Sequence, residues 1–173
     1  MSDASHIPAP AAVTDFKVRV LLVDDQLIIV EAIRRMLAGQ VDIEFHFVTD
    51  ATIAEATAER IAPTVILQDL VMPDIDGFSL VEYYRRNPKL RQVPVIILSA
   101  KEDPKLKAHG FEVGANDYMV KLPDHLELRA RLRYHAAGYI SRLQRDEALA
   151  LLRECQQQLA EARLALQQHE SST

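Results

Sequence analysis

The sequence predicts an α/β fold in which helices cover both faces of a five-stranded parallel sheet. Short apolar runs typical of strands alternate five times with stretches of helical periodicity, and this order favours parallel strands joined by right-handed crossovers. The third run, residues 65–68, leads directly into a single carboxylate, Asp69, and turn residues follow at once. Because ligands bind at the carboxyl edge of such sheets, Asp69 is the first candidate functional residue.

Each predicted strand is a short run rich in β-branched, leucine or aromatic residues. The five runs cover residues 18–23, 43–48, 65–68, 93–98 and 117–120. The first and third are almost continuously apolar, as expected for strands that are buried on both faces. The second largely alternates apolar and polar residues, so it is predicted to lie at an edge of the sheet.

The predicted helices lie after the strands and have recognisable start and stop signals. They cover residues 27–38, 50–61, 78–86, 103–113 and 124–169. Gly39 and Gly114 close the first and fourth helices, and Pro88 follows the third. Asp50 can cap the second helix, and Pro104 occupies the first turn of the fourth.

The fifth helix is longer than a small domain can cover. Residues 124–169 contain no proline and one glycine, Gly138, and the helix would extend roughly 70 Å at about 1.5 Å per residue. A first apolar set is predicted to pack on the sheet: Leu132, Ala136, Ile140 and Leu143. A second set has coiled-coil spacing, is predicted to contact a partner, and is called the seam: Leu152, Cys155, Leu159, Ala162, Leu166 and His169.

Composition places the chain among soluble globular proteins. Its 173 residues, formal net charge of -5, 49% hydrophobic residues and 26% charged residues suit one domain with an appendage. No basic stripe favours a nucleic acid partner, and no apolar run is long enough to span a membrane. The single cysteine, Cys155, and the lack of a signal peptide predict a cytoplasmic protein. Residues 1–16 are predicted to be a disordered tail.

Charged and hydroxyl side chains follow the ends of four predicted strands. These residues are Asp24, Asp25, Asp69, Ser99 and Lys121. In a parallel sheet all of them lie at one edge, where three carboxylates repel one another unless cations neutralise them. Lys121 supplies one positive charge, and Mg²⁺ with oxygen ligands can supply the rest beside a phosphoryl group. Asp69 is then the natural nucleophile, forming an aspartyl phosphate whose charge the metal, Lys121 and Ser99 share.

Several motifs together resemble the CheY-like receiver domain of two-component response regulators. They are the pair Asp24-Asp25, Met72-Pro73 and Gly77 after Asp69, Ser99-Ala100, and Tyr118 three residues before Lys121. The resemblance assigns residues 17–138 to a receiver domain. It implies a flavodoxin-like three-layer sandwich with strand order 2-1-3-4-5.

The resemblance also implies a role for each site residue. Asp69 would accept phosphate from a histidine kinase or phosphotransfer protein. The implied Mg²⁺ ligands are Asp25 directly, Asp24 more loosely, Asp69, and the carbonyl of Val71. Ser99 and Tyr118 would form a switch pair, in which Ser99 moves toward the phosphoryl group and Tyr118 turns into the space that it leaves.

One departure from the family pattern follows the lysine. Receivers usually have a proline directly after it, joined by a cis bond, whereas Leu122 separates Lys121 from Pro123 here. A cis bond costs ~2.5–4 kcal/mol before a residue other than proline, so a cis Lys121-Leu122 bond is not expected.

The long helix narrows the resemblance further. The chain is similar to the receiver and stalk of Wsp-type response regulators, whose output is a GGDEF diguanylate cyclase domain, through residues 68–73, 120–124 and 145–148. No Gly-Gly-Asp/Glu-Glu-Phe motif occurs in the 173 residues. We therefore expect residues 139–173 to be a helical, homodimeric stalk that leads to a missing output domain. The chain itself would not be an enzyme beyond its own phosphorylation, while the parent protein would be a diguanylate cyclase.

Other classes of protein fit the sequence less well. A haloacid-dehalogenase-like phosphatase needs a second Asp two positions after the nucleophile, where this chain has Val71. A nucleotide-binding domain needs a glycine-rich phosphate loop, and the five glycines form no such motif. A degenerate or stand-alone receiver that acts only as a dimeric scaffold stays open as an alternative.

Overall fold

The central sheet of the computed structural model contains five parallel strands. They are β1 (Val18–Val23), β2 (Ile43–Val48), β3 (Val65–Asp69), β4 (Val95–Ser99) and β5 (Asp117–Val120). Their order is β2-β1-β3-β4-β5, which confirms the predicted order 2-1-3-4-5 and the edge position of the second strand. The structure describes residues 17–171, with side chains described to residue 168, so the predicted tail at residues 1–16 lies outside it.

Five α-helices are present in this part of the chain. They are α1 (Leu27–Leu37), α2 (Ala54–Ile61), α3 (Gly77–Arg86), α4 (Pro104–Glu112) and α5 (His125–Ser171). Residues Lys17–Ser141 form one compact unit, and the part of α5 from Arg142 onward belongs to a separate unit. No helix in the described range is long and apolar enough to cross a membrane.

The helices form one layer on each face of the sheet. Helices α1 and α5 cover one face, where Ile33 of α1 and Leu128 and Leu132 of α5 are fully buried. Helices α2 and α3 cover the other face, where Ala58 and Tyr84 are fully buried. Every residue of β3 and β4 is buried as a result, because both strands have helices on each side. The structure is therefore the predicted three-layer α/β sandwich.

Side-chain caps explain where helices α3 and α4 begin. Asp76 accepts a hydrogen bond from the backbone of Ser79 at the start of α3, and Asp103 does the same for α4, with Pro104 at its first position. Most boundaries lie within one or two residues of the predicted ones, and two of the differences have a clear local cause. β4 begins at Val95, because Pro94 has no N–H to donate to a neighbouring strand. A short 3₁₀ turn, Ala51–Ile53, precedes α2 after the Asp50 cap.

The two apolar sets of the long helix have different surroundings. Leu132 and Ala136 of the first set are fully buried against the sheet, and Ile140 packs beside them. In the separate unit from Arg142 onward, the seam leucines Leu152 and Leu159 are 53% and 52% exposed. Leu132, Ala136 and Ile140 therefore pack as predicted, whereas Leu143 belongs to the separate unit and is not part of this core. The seam leucines are available for a partner.

Candidate functional site

The strand register brings the predicted site residues to one edge of the sheet. Val23 of β1 pairs with Gln68 of β3, so the residues that follow, Asp24 and Asp69, lie side by side. At the other side of the edge, the backbone N–H of Lys121 donates to the carbonyl of Ser99 at 2.6 Å. The predicted site residues therefore lie together because the parallel strands pair in register and end at the same edge of the sheet.

Three carboxylates form the floor of the site. One oxygen from each of Asp24, Asp25 and Asp69 lies within 4.8 Å of the other two. Asp24 is fully buried, Asp69 is 1% exposed, and Asp25 is partly exposed. Oδ1 of Asp25 and Oδ2 of Asp69 are buried and accept no hydrogen bond from any described residue. Buried oxygens without donors at this spacing fit a hard divalent cation such as Mg²⁺.

Lys121 balances part of this negative charge. Its Nζ atom lies 2.9 Å from Oδ2 of Asp24 and 3.0 Å from Oδ1 of Asp69. Burial alone would lower the pKa of Lys121, but hydrogen bonds to Asp24 and Asp69 outweigh it and raise the pKa, so the ammonium stays charged. Burial raises the pKa of Asp69, the charge of Asp24 adds to that effect, and Lys121 opposes it.

The loop after β3 turns back onto the carboxylate of Asp69. The backbone N–H of Val71 donates to Oδ1 of Asp69 at 3.3 Å, while the side chain of Val71 is 78% exposed. Oδ1 is therefore held by both Val71 and Lys121. This arrangement leaves one oxygen of the carboxylate without a donor in the described chain.

Ser99 and Tyr118 meet at the backbone of Lys101. The hydroxyl of Ser99 accepts from the N–H of Lys101 at 3.3 Å, and the hydroxyl of Tyr118 donates to the carbonyl of Lys101 at 2.8 Å. Both side chains are 5% exposed. Among the described hydrogen bonds, none joins either side chain to Asp69 directly, so the structure connects the two through one residue of the β4–α4 loop.

The segment after Lys121 has its own conformation. No cis peptide bond occurs in the described range, in agreement with the sequence-based expectation for Lys121-Leu122. Leu122 instead adopts a φ of +45°, a left-handed conformation that is uncommon for a leucine. The chain then enters α5 at His125, after Asp124 accepts a hydrogen bond from the backbone of Leu126 at 2.7 Å.

Two polar networks near the site were missed from the sequence. Gln68, directly before Asp69, is fully buried and accepts a hydrogen bond from the hydroxyl of Tyr84 at 3.0 Å. Asp117, directly before Tyr118, is hydrogen-bonded by Arg131 and His135 of α5. The signals were a single amide in an apolar run and two basic residues one helical turn apart.

Comparison with known proteins agrees with this geometry. The family profile of the response regulator receiver domain matches residues 20–133. Response regulator PleD of Caulobacter vibrioides is 35% identical over 118 residues, covering 66% of this chain and 25% of PleD. The DNA-binding dual master transcriptional regulator RpaA of Synechocystis is 32% identical over 117 residues, covering 66% of this chain and 47% of RpaA. The chain thus spans about a quarter to a half of these relatives.

Solved structures show the same fold. A putative response regulator from Chloroflexus aurantiacus matches with a TM-score of 0.66 and 30% identity, covering 70% of this chain and 99% of that one. The chemotaxis protein CheY4 of Vibrio cholerae matches with a TM-score of 0.64 and 28% identity, covering 69% and 98%. The chain therefore belongs to the response regulator receiver domain family of two-component signalling.

Proposed function

We propose that this receiver is a phosphoacceptor in which Asp69 takes a phosphoryl group, with Mg²⁺, from a histidine kinase or phosphotransfer protein. The observation that carries the proposal is the group of Asp24, Asp25 and Asp69, two of them buried, with one lysine bridging Asp24 and Asp69. A scaffold without phosphotransfer has no need for three carboxylates gathered at one sheet edge, where they repel one another.

The carboxylates and the carbonyl of Val71 would hold Mg²⁺. When bound, the ion supplies positive charge to the carboxylates and to the phosphoryl oxygens. Oδ2 of Asp69, which has no donor from the described chain, would be a ligand of the ion, and Oδ1, which lies beside Lys121, would attack phosphorus. As the new oxygen–phosphorus bond forms, the phosphorus–nitrogen bond to the donor histidine breaks and its electron pair stays on the imidazole.

The effect of phosphorylation would pass from the site to β5 through three residues, Ser99, Lys101 and Tyr118. The hydroxyl of Ser99 would turn from the N–H of Lys101 and donate to a phosphoryl oxygen, sharing its negative charge. Because the carbonyl of Lys101 holds the hydroxyl of Tyr118, a shift of this loop changes the position of Tyr118. Tyr118 lies on β5, which leads through Lys121 into α5.

Exposed apolar side chains beside the acidic residues support a protein donor. Leu27 and Ile28, which follow Asp25 at the start of α1, are 67% and 76% exposed. Val71 and Leu122, which follow Asp69 and Lys121, are also exposed. Apolar side chains grouped around a charged pocket suit contact with a partner protein, here the donor that carries the phosphohistidine.

We also propose that the chain acts together with a dimeric diguanylate cyclase output that is controlled through α5. The support is the resemblance to Wsp-type regulators and the exposed leucines of the seam in the unit beyond Ser141. Pairing of two seams would bring two output domains together, each with one GTP. RpaA, named as a DNA-binding regulator, illustrates another output among the relatives.

The test is phosphorylation by acetyl phosphate with Mg²⁺, read by intact mass. Wild-type protein should gain the mass of one phosphoryl group, and hydroxylamine should remove it, as expected of an acyl phosphate. Asp69→Asn should gain none. Asp74→Asn, an exposed carboxylate in the same loop, is the matched control and should behave as the wild type.

The alternative, a receiver that acts only as a dimeric scaffold, predicts a different outcome. The wild type would then show no mass gain with acetyl phosphate or beryllofluoride, yet it would still dimerise. Equal mass gain in wild type and Asp69→Asn would place the phosphoryl group on another residue and overturn the assignment of Asp69.

A further inference from the structure

Gln68 is a fully buried amide in a strand that is otherwise apolar up to Asp69. Alternation along β3 places it on the same face of the sheet as Ile66, toward α3. An amide buried without partners costs free energy, so its hydrogen bonds explain why it is tolerated there. Both of its polar atoms have partners, and those partners lie on either side of the loop between β3 and α3.

The hydrogen bonds fix the orientation of this amide. Nε2 of Gln68 donates to the backbone carbonyl of Asp69 at 2.9 Å and lies 3.6 Å from Sδ of Met72. A carbonyl can only accept, so the amide nitrogen must face Asp69 and the amide oxygen must face away. Oε1 then accepts from the hydroxyl of Tyr84 at 3.0 Å.

Tyr84 connects this amide to α3. The side chain is fully buried, and burial raises the pKa of its hydroxyl, which therefore stays protonated as a donor. The first residue of α3, Gly77, packs directly against the same carbonyl of Asp69. The carbonyl of Asp69 is thus held by Gln68 and covered by the beginning of α3, while the Tyr84 turn of α3 holds Gln68.

We propose that Gln68 and Tyr84 are positioning residues for metal binding and phosphoryl transfer at Asp69. Their role, which rests on the proposed phosphoacceptor function, is to hold the backbone between Asp69 and Met72 in place. That stretch sets the direction of the Asp69 carboxylate and includes Val71, whose N–H contacts Oδ1 and whose carbonyl is a proposed metal ligand. Residues that orient metal ligands without contacting the metal affect metal affinity strongly, because small displacements alter the geometry of the ligands.

The test uses three variants, Gln68→Leu, Tyr84→Phe and the double variant. Mg²⁺ affinity is measured by titration, and the phosphorylation rate is measured at saturating Mg²⁺ and acetyl phosphate. Gln68→Leu should weaken Mg²⁺ binding by about tenfold, and Tyr84→Phe should weaken it in the same direction by less. Gln68 and Tyr84 act through one chain of hydrogen bonds. The Mg²⁺ affinity of the double variant should therefore be no lower than that of Gln68→Leu alone.

Thr64→Val is the matched control. Thr64 is also a buried polar residue beside β3, but at the opposite end, where its hydroxyl accepts from the N–H of Arg19 at 2.8 Å. This variant should lower thermal stability while Mg²⁺ affinity stays within about twofold of wild type, since no ligand depends on it. It separates general destabilisation from a specific effect at the site.

The outcomes distinguish this inference from the proposed function. Wild-type protein that neither binds Mg²⁺ nor becomes phosphorylated overturns the proposed function itself. Wild-type protein that does both, together with wild-type behaviour of Tyr84→Phe and Gln68→Leu, overturns only the positioning role. The positioning role is also overturned if the losses of Mg²⁺ affinity add up in the double variant, or if Thr64→Val loses as much Mg²⁺ affinity as Gln68→Leu. If Gln68→Leu does not fold, the positioning role is tested by comparing the Mg²⁺ affinities of Tyr84→Phe and Thr64→Val, and Tyr84→Phe should be the weaker binder.

Discussion

Gly77 packs so closely against Asp69 that a Cβ atom on Gly77 would lie 2.2 Å from the backbone oxygen of Asp69. The same Cβ atom would lie 2.8 Å from Cα of Leu70. Both contacts are to backbone, which cannot turn aside as a flexible side chain can. The backbone N–H of Gly77 also donates to the carbonyl of Leu70 at 2.9 Å, so the start of α3 is joined to the end of β3.

Gly77→Ala should therefore destabilise the protein by about 2 kcal/mol, because the loop that holds Asp69 must move to make room. Urea unfolding measures the loss. Gly138→Ala is the control, since a Cβ there meets no atom within 4 Å and alanine favours the helix by roughly 0.5–1 kcal/mol. Equal stability of the two variants would contradict the close contact between α3 and Asp69.

The metal site should depend more on Asp25 than on Asp24. Oδ1 of Asp24 accepts from the N–H of Gln26 at 2.9 Å and Oδ2 contacts Lys121, so both oxygens already have partners. Asp25 has a buried oxygen without one among the described residues. Asp25→Ala should weaken Mg²⁺ binding by more than about tenfold, and Asp24→Ala by less.

Calorimetric titration with Mg²⁺ compares the affinities of the two variants with that of the wild type. The exposed Asp74→Ala serves as the control, and its affinity should be unchanged. The reverse order, with Asp24→Ala as the weaker binder, would mean that Asp24 is the direct ligand.

The carboxylate of Asp117 should make stability depend on pH. Burial tends to raise the pKa of Asp117, but hydrogen bonds from Arg131 and His135 outweigh it and hold the pKa below its ordinary value of 3.8. A lowered pKa in the folded state means that the stabilisation is complete above the ordinary value. It decreases as pH falls from there and is lost once pH passes below the lowered pKa.

Asp117→Asn should accordingly destabilise the protein by roughly 1 kcal/mol at neutral pH, a modest value because Arg131 is more than a third exposed. The difference from wild type should shrink toward zero in strong acid. Thermal unfolding at a series of pH values measures it. A difference that stays constant down to the lowest pH would exclude the carboxylate charge as its cause.

The seam leucines should control association of two copies. Leu152 and Leu159 are about half exposed, and burying such a side chain contributes about 1.5–3 kcal/mol. We therefore expect light scattering to detect a dimer of the wild type, and we expect Leu152→Lys with Leu159→Lys to abolish it. Beryllofluoride should strengthen the wild-type dimer by about 1–3 kcal/mol if phosphorylation controls it.

Gln156→Lys, which adds one charge beside the seam, is the control and should leave association unchanged. In a parallel, in-register pair the exposed Cys155 side chains should also cross-link under mild oxidation. Monomeric wild-type protein at high concentration, with and without beryllofluoride, would contradict a role for the seam in pairing.

Much of the fold was determined by the sequence, because the signals that specify it are local. The apolar runs of β1 and β3, the caps at Asp76 and Asp103 and the glycine after α1 act within a few residues of the chain. Parallel order then requires strand ends to share an edge, so the sequence alone predicts that Asp24, Asp69 and Lys121 lie together, as they do in the structure.

The partners of buried polar groups were decided only by the tertiary structure. Gln68 and Tyr84 are 16 residues apart, and Asp117 and Arg131 are 14 apart, so no local pattern pairs them. Which acceptor a buried amide reaches depends on the direction of its side chain and on how closely a helix packs against the sheet. The same is true of Gly77. Glycine is required there because α3 packs too closely against Asp69 to leave room for a Cβ atom, and no local sequence pattern predicts that distance.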